Sequence, residues 1–405
     1  MAGPGDRFTA HGEFAVDGVG LEGIVGRFGT PVYVYSAGTI RAQYRRLAGA
    51  FPGFTVCYSL KANPNPSVCR LLREEGAGAE VSSGAELATA LGAGFNPGNV
   101  VFVGPAKTDA EIEAAVGAGI GAVVADCPED LRRVDAAAVR LDRDASVLCR
   151  VNTREQPAAR ESMVGGPSKF GFDEETAAAA IRATPLRRAR VRGIQVYSAS
   201  QVLDGGFVVE HVRYVLDLSR RLSADAGLEV RMLDFGGGFG IPYGEHEPEL
   251  DLDRAATGVA RLRAGADWPG GCRLLFESGR FLVGPAGVFL TRVERVKESR
   301  GRAFVITDGG MNAFSRPVVM GVAHRVRLLN KPGSAPTGRF DVCGPICTPI
   351  DVLGRDVALP TPEPGDIIGL LDAGAYGYSM SLLGFMSRVP PVEVLADEGR
   401  LTPAR

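Results

Sequence analysis

Eight short apolar runs, alternating with segments of helical periodicity, constrain this chain more than any other feature. The runs fall at 54–58, 79–82, 100–103, 122–125, 147–151, 193–197, 232–235 and 274–276. Helical patterns separate most of them, clearest at 86–91, 110–116, 128–139, 177–183 and 208–222. An apolar run too short for a helix, bounded by turn residues and lacking in/out alternation, reads as a strand buried on both faces. Strands of that kind joined by helices make a parallel sheet. Eight such units over roughly 225 residues approach the size of a (β/α)8 barrel, with a doubly wound open sheet as the rival. Polar or glycine-rich tips after nearly every run favour the barrel, whose chemistry gathers at the carboxyl ends of its strands.

Past residue 285 the pattern changes. Stretches 288–293, 303–306, 340–342 and 367–371 read as short strands between Gly/Pro turns, and long helices are lacking. This predicts a barrel domain over 32–285 and an all-β, sandwich- or barrel-like domain over 286–405. Residues 1–31 and the N-terminal strand-like run Pro31-Val32-Tyr33-Val34-Tyr35 would complete the second domain. The length suits two domains, and 45% hydrophobic residues supply a large core. A net charge of −2 without a basic run gives no support for binding nucleic acid or an anionic membrane. No apolar run has membrane-spanning length, and residues 1–7 hold no signal-peptide core. The seven cysteines are scattered without a CxxC pair, and the four histidines show no metal-ligand spacing. The expectation is a reduced, cytoplasmic protein with no metal site.

Chemistry-bearing residues sit where strands give way. Lys61, in Tyr58-Ser59-Leu60-Lys61-Ala62-Asn63-Pro64-Asn65, follows the first run, and its amine can form a Schiff base with an aldehyde cofactor. Asp234-Phe235-Gly236-Gly237-Gly238 ends another run. Successive glycines there let backbone N–H groups converge on an anion. Glu277-Ser278-Gly279-Arg280 ends the eighth. A buried carboxylate there can keep a pyridine nitrogen protonated, and a guanidinium can pair with phosphate. Taken singly, each has a plainer reading: a solvated lysine, a simple turn, a surface ion pair.

Taken together, these words resemble the alanine-racemase-fold decarboxylases that use pyridoxal 5'-phosphate, the diaminopimelate and ornithine decarboxylase family. Lys61 matches the family's cofactor lysine, Glu277, Gly279 and Arg280 its Glu-Pro-Gly-Arg motif with Ser278 in place of proline, and Gly236, Gly237 and Gly238 its phosphate loop. Ser200 matches a phosphate-binding serine, while Tyr197 stands where the family places a histidine that stacks on the cofactor ring. Tyrosine can stack but supplies no imidazole chemistry. Glu80 replaces a usual aspartate, and Arg150-Val151-Asn152 with Ser168-Lys169-Phe170-Gly171 match a loop used near the active site.

The second domain carries the rest of the resemblance. Arg316 follows Asp308-Gly309-Gly310-Met311-Asn312 and matches an arginine that takes a substrate carboxylate. Cys347, in Cys343-Gly344-Pro345-Ile346-Cys347-Thr348, matches a cysteine that crosses a dimer interface as general acid. Tyr376 matches a tyrosine contacting cofactor phosphate and substrate. Read alone, Cys347 fits a small buried hydrophobe and Tyr197 a core aromatic. The resemblance implies a PLP-dependent amino-acid decarboxylase working as a head-to-tail homodimer with shared active sites.

Thr348 replaces an acidic residue that meets a distal substrate amine, which would leave a distal ammonium unpaired in a closed site. Leu382-Leu383-Gly384-Phe385 and Met320 replace more polar family positions. The expected substrate is therefore an α-amino acid without a free distal cation, including one tethered to a carrier protein or conjugate in specialised biosynthesis. The alternative is meso-diaminopimelate, decarboxylated to L-lysine. Other readings are a racemase of the same fold and a non-catalytic cofactor-binding protein.

Overall fold

The computed structural model describes residues 8–10, 12–154, 161–265 and 270–404. The chain divides into two units. One comprises Tyr44–Ile241 and Pro248–Phe281; the other takes the chain up to Gln43, Pro242–Glu247, and Leu282 onward.

The first unit is a closed barrel of eight parallel strands: β1 (Phe54–Ser59), β2 (Gly78–Val81), β3 (Val100–Phe102), β4 (Ala122–Ala125), β5 (Ala145–Asn152), β6 (Ala189–Gln195), β7 (Met232–Asp234) and β8 (Arg273–Ser278). Each pairs with the next, and β8 closes on β1 with Ser278 opposite Tyr58. All eight apolar runs seen in the sequence are barrel strands. Cys57, Val101, Val124, Leu148 and Leu275 form one buried cluster of this unit. The intervening helices are α1 (Pro66–Glu74), α2 (Gly84–Gly92), α3 (Asp109–Ala118), α4 (Pro128–Arg140), α5 (Glu174–Arg182), α6 (Gly205–Ala226) and α7 (Leu252–Arg263). Their starts are written locally. Thr108 and Glu111 form a reciprocal capping box on α3, Ser83 caps α2, and Asn65 caps α1 with Pro66 in the first turn.

The second unit holds a nine-stranded sheet. Its main path runs Val352–Leu359, Gly338–Cys343, Arg302–Thr307, Gly287–Ser299, Val32–Ser36, Val392–Asp397 and Arg400–Pro403, with Val326–Leu328 and Ile367–Leu370 attached. Val32, Val34, Val288, Leu290, Val394 and Ala396 pack in its core. The boundary expected at 32 therefore moves. Val32–Ser36 pairs antiparallel with Gly287–Ser299 and parallel with Val392–Asp397, and the barrel unit begins only at Tyr44. All five residues of that strand are buried, so its pattern resembles a barrel strand and does not say which sheet it joins. Among the described residues, no helix is long and apolar enough to cross a membrane.

Candidate active site

In the barrel unit, Lys61 lies in a single 3₁₀ turn, Leu60–Ala62, directly after β1. Tyr58 fixes the turn by donating its hydroxyl to Asn63 O at 2.7 Å, and Asn63 Oδ1 accepts from Asn65 N. Lys61 Nζ donates to both oxygens of Glu80, at 2.7 and 2.6 Å; Glu80 is fully buried and also accepts from Ser82. The lysine remains about one-third exposed, at 37% for its side chain, so a carboxylate orients the amine while leaving it accessible.

The glycine run forms a cradle that admits no side chain. A Cβ on Gly237 would stand 2.1 Å from Glu277 O, and one on Gly238 2.2 Å from Ala199 O. Gly236 and Gly238 take φ of +61° and +94°, values that favour glycine. Ser200 adjoins this cradle, and Arg280 donates to Ser200 Oγ at 3.3 Å. Tyr197, just past β6 and half-buried, lies against Gly236. A Cβ on Gly279 would meet Ala62 Cβ at 2.6 Å, so that glycine permits the close approach of the β8 tip to the Lys61 turn.

Behind the cradle the barrel carries buried carboxyls. Glu277 is 2% exposed and accepts from Gln195 Nε2 at 3.2 Å. Burial, then the charge of Glu80, pushes Glu277 up to about 6, while Lys61 pulls it down. Three buried oxygens, Gln195 Oε1, Asp234 Oδ2 and Ser278 Oγ, have no hydrogen-bond partner among the described residues.

In the sheet unit, Arg316 is among the largest fully buried side chains, at 2% exposure, and among the described residues no carboxylate pairs with it. It donates to Tyr243 Oη at 2.6 Å and Ala375 O at 3.2 Å, its guanidinium lies over the Tyr243 and Tyr376 rings, and its Nε has no partner. A buried cation without a counter-ion fits an anion supplied by a ligand. Tyr376 holds a left-handed φ of +57°, unusual for an aromatic residue. Cys347 is exposed and donates its N–H to Met386 Sδ. Asp351 braces its loop by accepting from Met311 N and Ile346 N. Thr348 lines a cavity of about 490 Å³ with Met311, Ile350, Leu382, Leu383, Gly384 and Phe385, a lining without an ionisable residue.

The family described as "Pyridoxal-dependent decarboxylase, pyridoxal binding domain" matches residues 37–284. The chain belongs to this family. The L-glutamyl-[BtrI acyl-carrier protein] decarboxylase of Niallia circulans is 34% identical over 397 residues, spanning 95% of this chain and 92% of its own length. The diaminopimelate decarboxylase of Pseudomonas aeruginosa is 36% identical over 390 residues, spanning 95% and 92%. The crystal structure of diaminopimelate decarboxylase from Helicobacter pylori complexed with L-lysine superposes with a TM-score of 0.86 at 30% identity, covering 95% of each chain. The protein is thus a pyridoxal-phosphate-dependent amino-acid decarboxylase with a (β/α)8 barrel and a β domain.

The barrel residues fit that cofactor: an accessible amine, a side-chain-free cradle beside Ser200 and Arg280, and a buried carboxyl among unpartnered oxygens. Several contributors carry no sequence signal of their own. Ser198 donates to His211 Nδ1 at 3.1 Å, and His211 Nε2 donates to Phe235 O at 2.7 Å. This clips the segment before Ser200 to the one before Gly236, and burial holds the imidazole neutral. Tyr243, which accepts from Arg316, likewise carries no sequence signal of its own. Arg150 and Phe170, both within matched segments, stack at 4.3 Å.

Proposed function

We propose that the substrate is an α-amino acid whose distal end carries no free cation, in the form of a residue linked to a carrier protein or conjugate. The supporting observation is the lining around Thr348, apolar and without a carboxylate, where a distal ammonium would have no counter-ion. The Niallia circulans relative, named for a glutamyl group on an acyl-carrier protein, supports the same class.

Pyridoxal phosphate, when bound, supplies a conjugated ring that withdraws the electron pair left on Cα. Lys61 would hold the cofactor through its amine, which Glu80 orients. Gly236, Gly237, Gly238, Ser200, Arg280 and Tyr376 would hold the phosphate, Tyr197 would stack on the ring, Gly279 would let the β8 tip close on the Lys61 turn, and Glu277 would keep the ring nitrogen protonated. Arg316 and Tyr376 bind substrate, Arg316 through a carboxylate. The α-carboxylate leaves as carbon dioxide, its bonding pair stays with Cα, and the Cys347 thiol delivers the replacing proton, with solvent returning one to sulfur. We place Cys347 across a homodimer interface. Exposed Ile350, three residues on in the chain, and exposed Leu382, Phe385, Met386 and Val389, in the segment whose Met386 sulfur accepts from the Cys347 N–H, support an apolar contact surface. All seven cysteines are unpaired, in keeping with work in the cytoplasm.

The second reading is meso-diaminopimelate decarboxylation to L-lysine. Arg316, a ready carboxylate site, and the diaminopimelate decarboxylase relatives favour it. Carbon dioxide release by the cofactor-loaded enzyme separates the two. Release from an L-glutamyl thioester on a carrier protein, with none from meso-diaminopimelate, supports the first. Brisk release from free meso-diaminopimelate overturns it. Sedimentation over a dilution series tests the dimer; a monomer that keeps full activity per site would remove the shared-site assignment of Cys347.

A further inference from the structure

Asp234 ends β7, fully buried, one step before the glycine cradle. Its Oδ1 accepts from Gly236 N at 2.8 Å, which anchors the first cradle glycine. Among the described residues its Oδ2 has no hydrogen-bond partner; Glu277, on the neighbouring strand, donates its own N–H to Gly236 O at 2.7 Å, and that backbone link sets its buried carboxyl against the one on Asp234. Two carboxylates in contact away from water cannot both stay ionised, so the pair carries a proton.

The surroundings decide where that proton sits. Glu277 already receives the N–H of Gln195 and feels the positive charge of Lys61, and both favour its ionised form. Asp234 receives one backbone N–H on Oδ1 and nothing on Oδ2. The other groups facing the pair are Glu80 on β2 and the Cys57 thiol on β1; burial pushes that thiol up, and Glu80 opposes a second negative charge. Burial and then Glu277 raise the Asp234 carboxyl well above its usual range.

We propose that Asp234 is a positioning residue held as the neutral acid, its Oδ2–H donated to Glu277, so that Glu277 is presented ionised and oriented for a ring N–H. One proton pairs the otherwise unpartnered Oδ2, keeps the dry pocket at a single negative charge, and couples the Glu277 carboxyl to the first glycine of the phosphate cradle. The inference rests on the assignment of Glu277 to the cofactor nitrogen, and its test separates the two ideas.

Asparagine copies a neutral aspartic acid here, since its carbonyl can accept from Gly236 and its amide can donate to Glu277. The carboxyl-stretch region of the infrared spectrum is compared between the full-length wild type, Asp234→Asn and Glu277→Gln, with and without pyridoxal phosphate. A neutral-carboxyl band present in the cofactor-free wild type should vanish in Asp234→Asn. That variant should bind the cofactor within about threefold of wild type, while Asp234→Ala weakens binding by about tenfold or more. If the alanine variant does not fold, the infrared band and the asparagine variant decide the matter. Three results overturn the proposal: the band surviving in Asp234→Asn, the band vanishing only in Glu277→Gln, or Asp234→Asn losing the cofactor with its melting temperature unchanged. Failure of the Glu277 assignment looks different: Glu277→Gln would leave the bound cofactor's absorbance and affinity as in wild type.

Discussion

Lys61 and Arg316 are cations in opposite circumstances. Lys61 has a buried carboxylate on its amine, whereas Arg316 is buried with, among the described residues, a phenol and a carbonyl as its acceptors. Replacing Lys61 by alanine should abolish the absorbance of lysine-linked cofactor, and borohydride reduction should then label no lysine; an unchanged spectrum would remove Lys61 from its role. Because a buried, uncompensated charge costs stability, Arg316→Met should fold as well as wild type or better. It should lower kcat/KM by about 100-fold or more through loss of the substrate carboxylate's partner. Parallel melting curves and kinetics check this, and a large fall in melting temperature with unaltered kcat/KM would make Arg316 structural. Lys61 was legible because a strand end and a proline-stopped turn surround it. Tyr243, which holds Arg316, was not, since nothing in Pro242–Glu247 announces that it serves the sheet unit.

At the scale of elements, the strand tips of the barrel bring Lys61, Ser200, the glycine run and Glu277 to one end, because every strand is parallel. The cradle depends on absent side chains. Gly237→Ala would drive a methyl into the Glu277 carbonyl at 2.1 Å, so β7 and β8 must part. We expect a loss of about 3 kcal/mol in stability and weakened cofactor binding, measured by denaturant titration and cofactor absorbance. Wild-type affinity in that variant would show that the run is merely a turn. The glycine run was visible in the sequence, but its partners were not. The Ser198–His211–Phe235 clip spans three separated segments, and a lone half-buried histidine on a helix carries no marker of what it touches.

For the molecule as a whole, the buried acidic pocket makes stability depend on pH. Glu277 binds a proton more tightly folded, near 6, than it would unfolded, so its contribution is unfavourable above pH 6 and fades as pH falls toward the ordinary glutamate value. In cofactor-free protein, Glu277→Gln should therefore raise the melting temperature at pH 7, with the gain shrinking as pH falls from 6 toward 4.5. A gain that is constant across that range, or that grows on acidification, contradicts the assignment of a raised Glu277 carboxyl.

The sequence by itself determined the barrel, because the spacing of apolar runs and helices is a local property and eight parallel strands have few ways to close. It also marked Lys61, the glycine run and Glu277, since each sits at the end of such a run. The sequence already assigned the N-terminal strand to the second domain; tertiary structure alone decided which strands Val32–Ser36 lies between, and that the sheet unit keeps the chain as far as Gln43, for a strand buried on both faces does not encode its neighbours. It alone placed Asp234 against Glu277, left Arg316 without a counter-ion among the described residues, and brought Met311 and Ile350 to the apolar lining of Thr348. Those features arise from long-range proximity, and desolvation acts on what a side chain faces, wherever it lies along the chain.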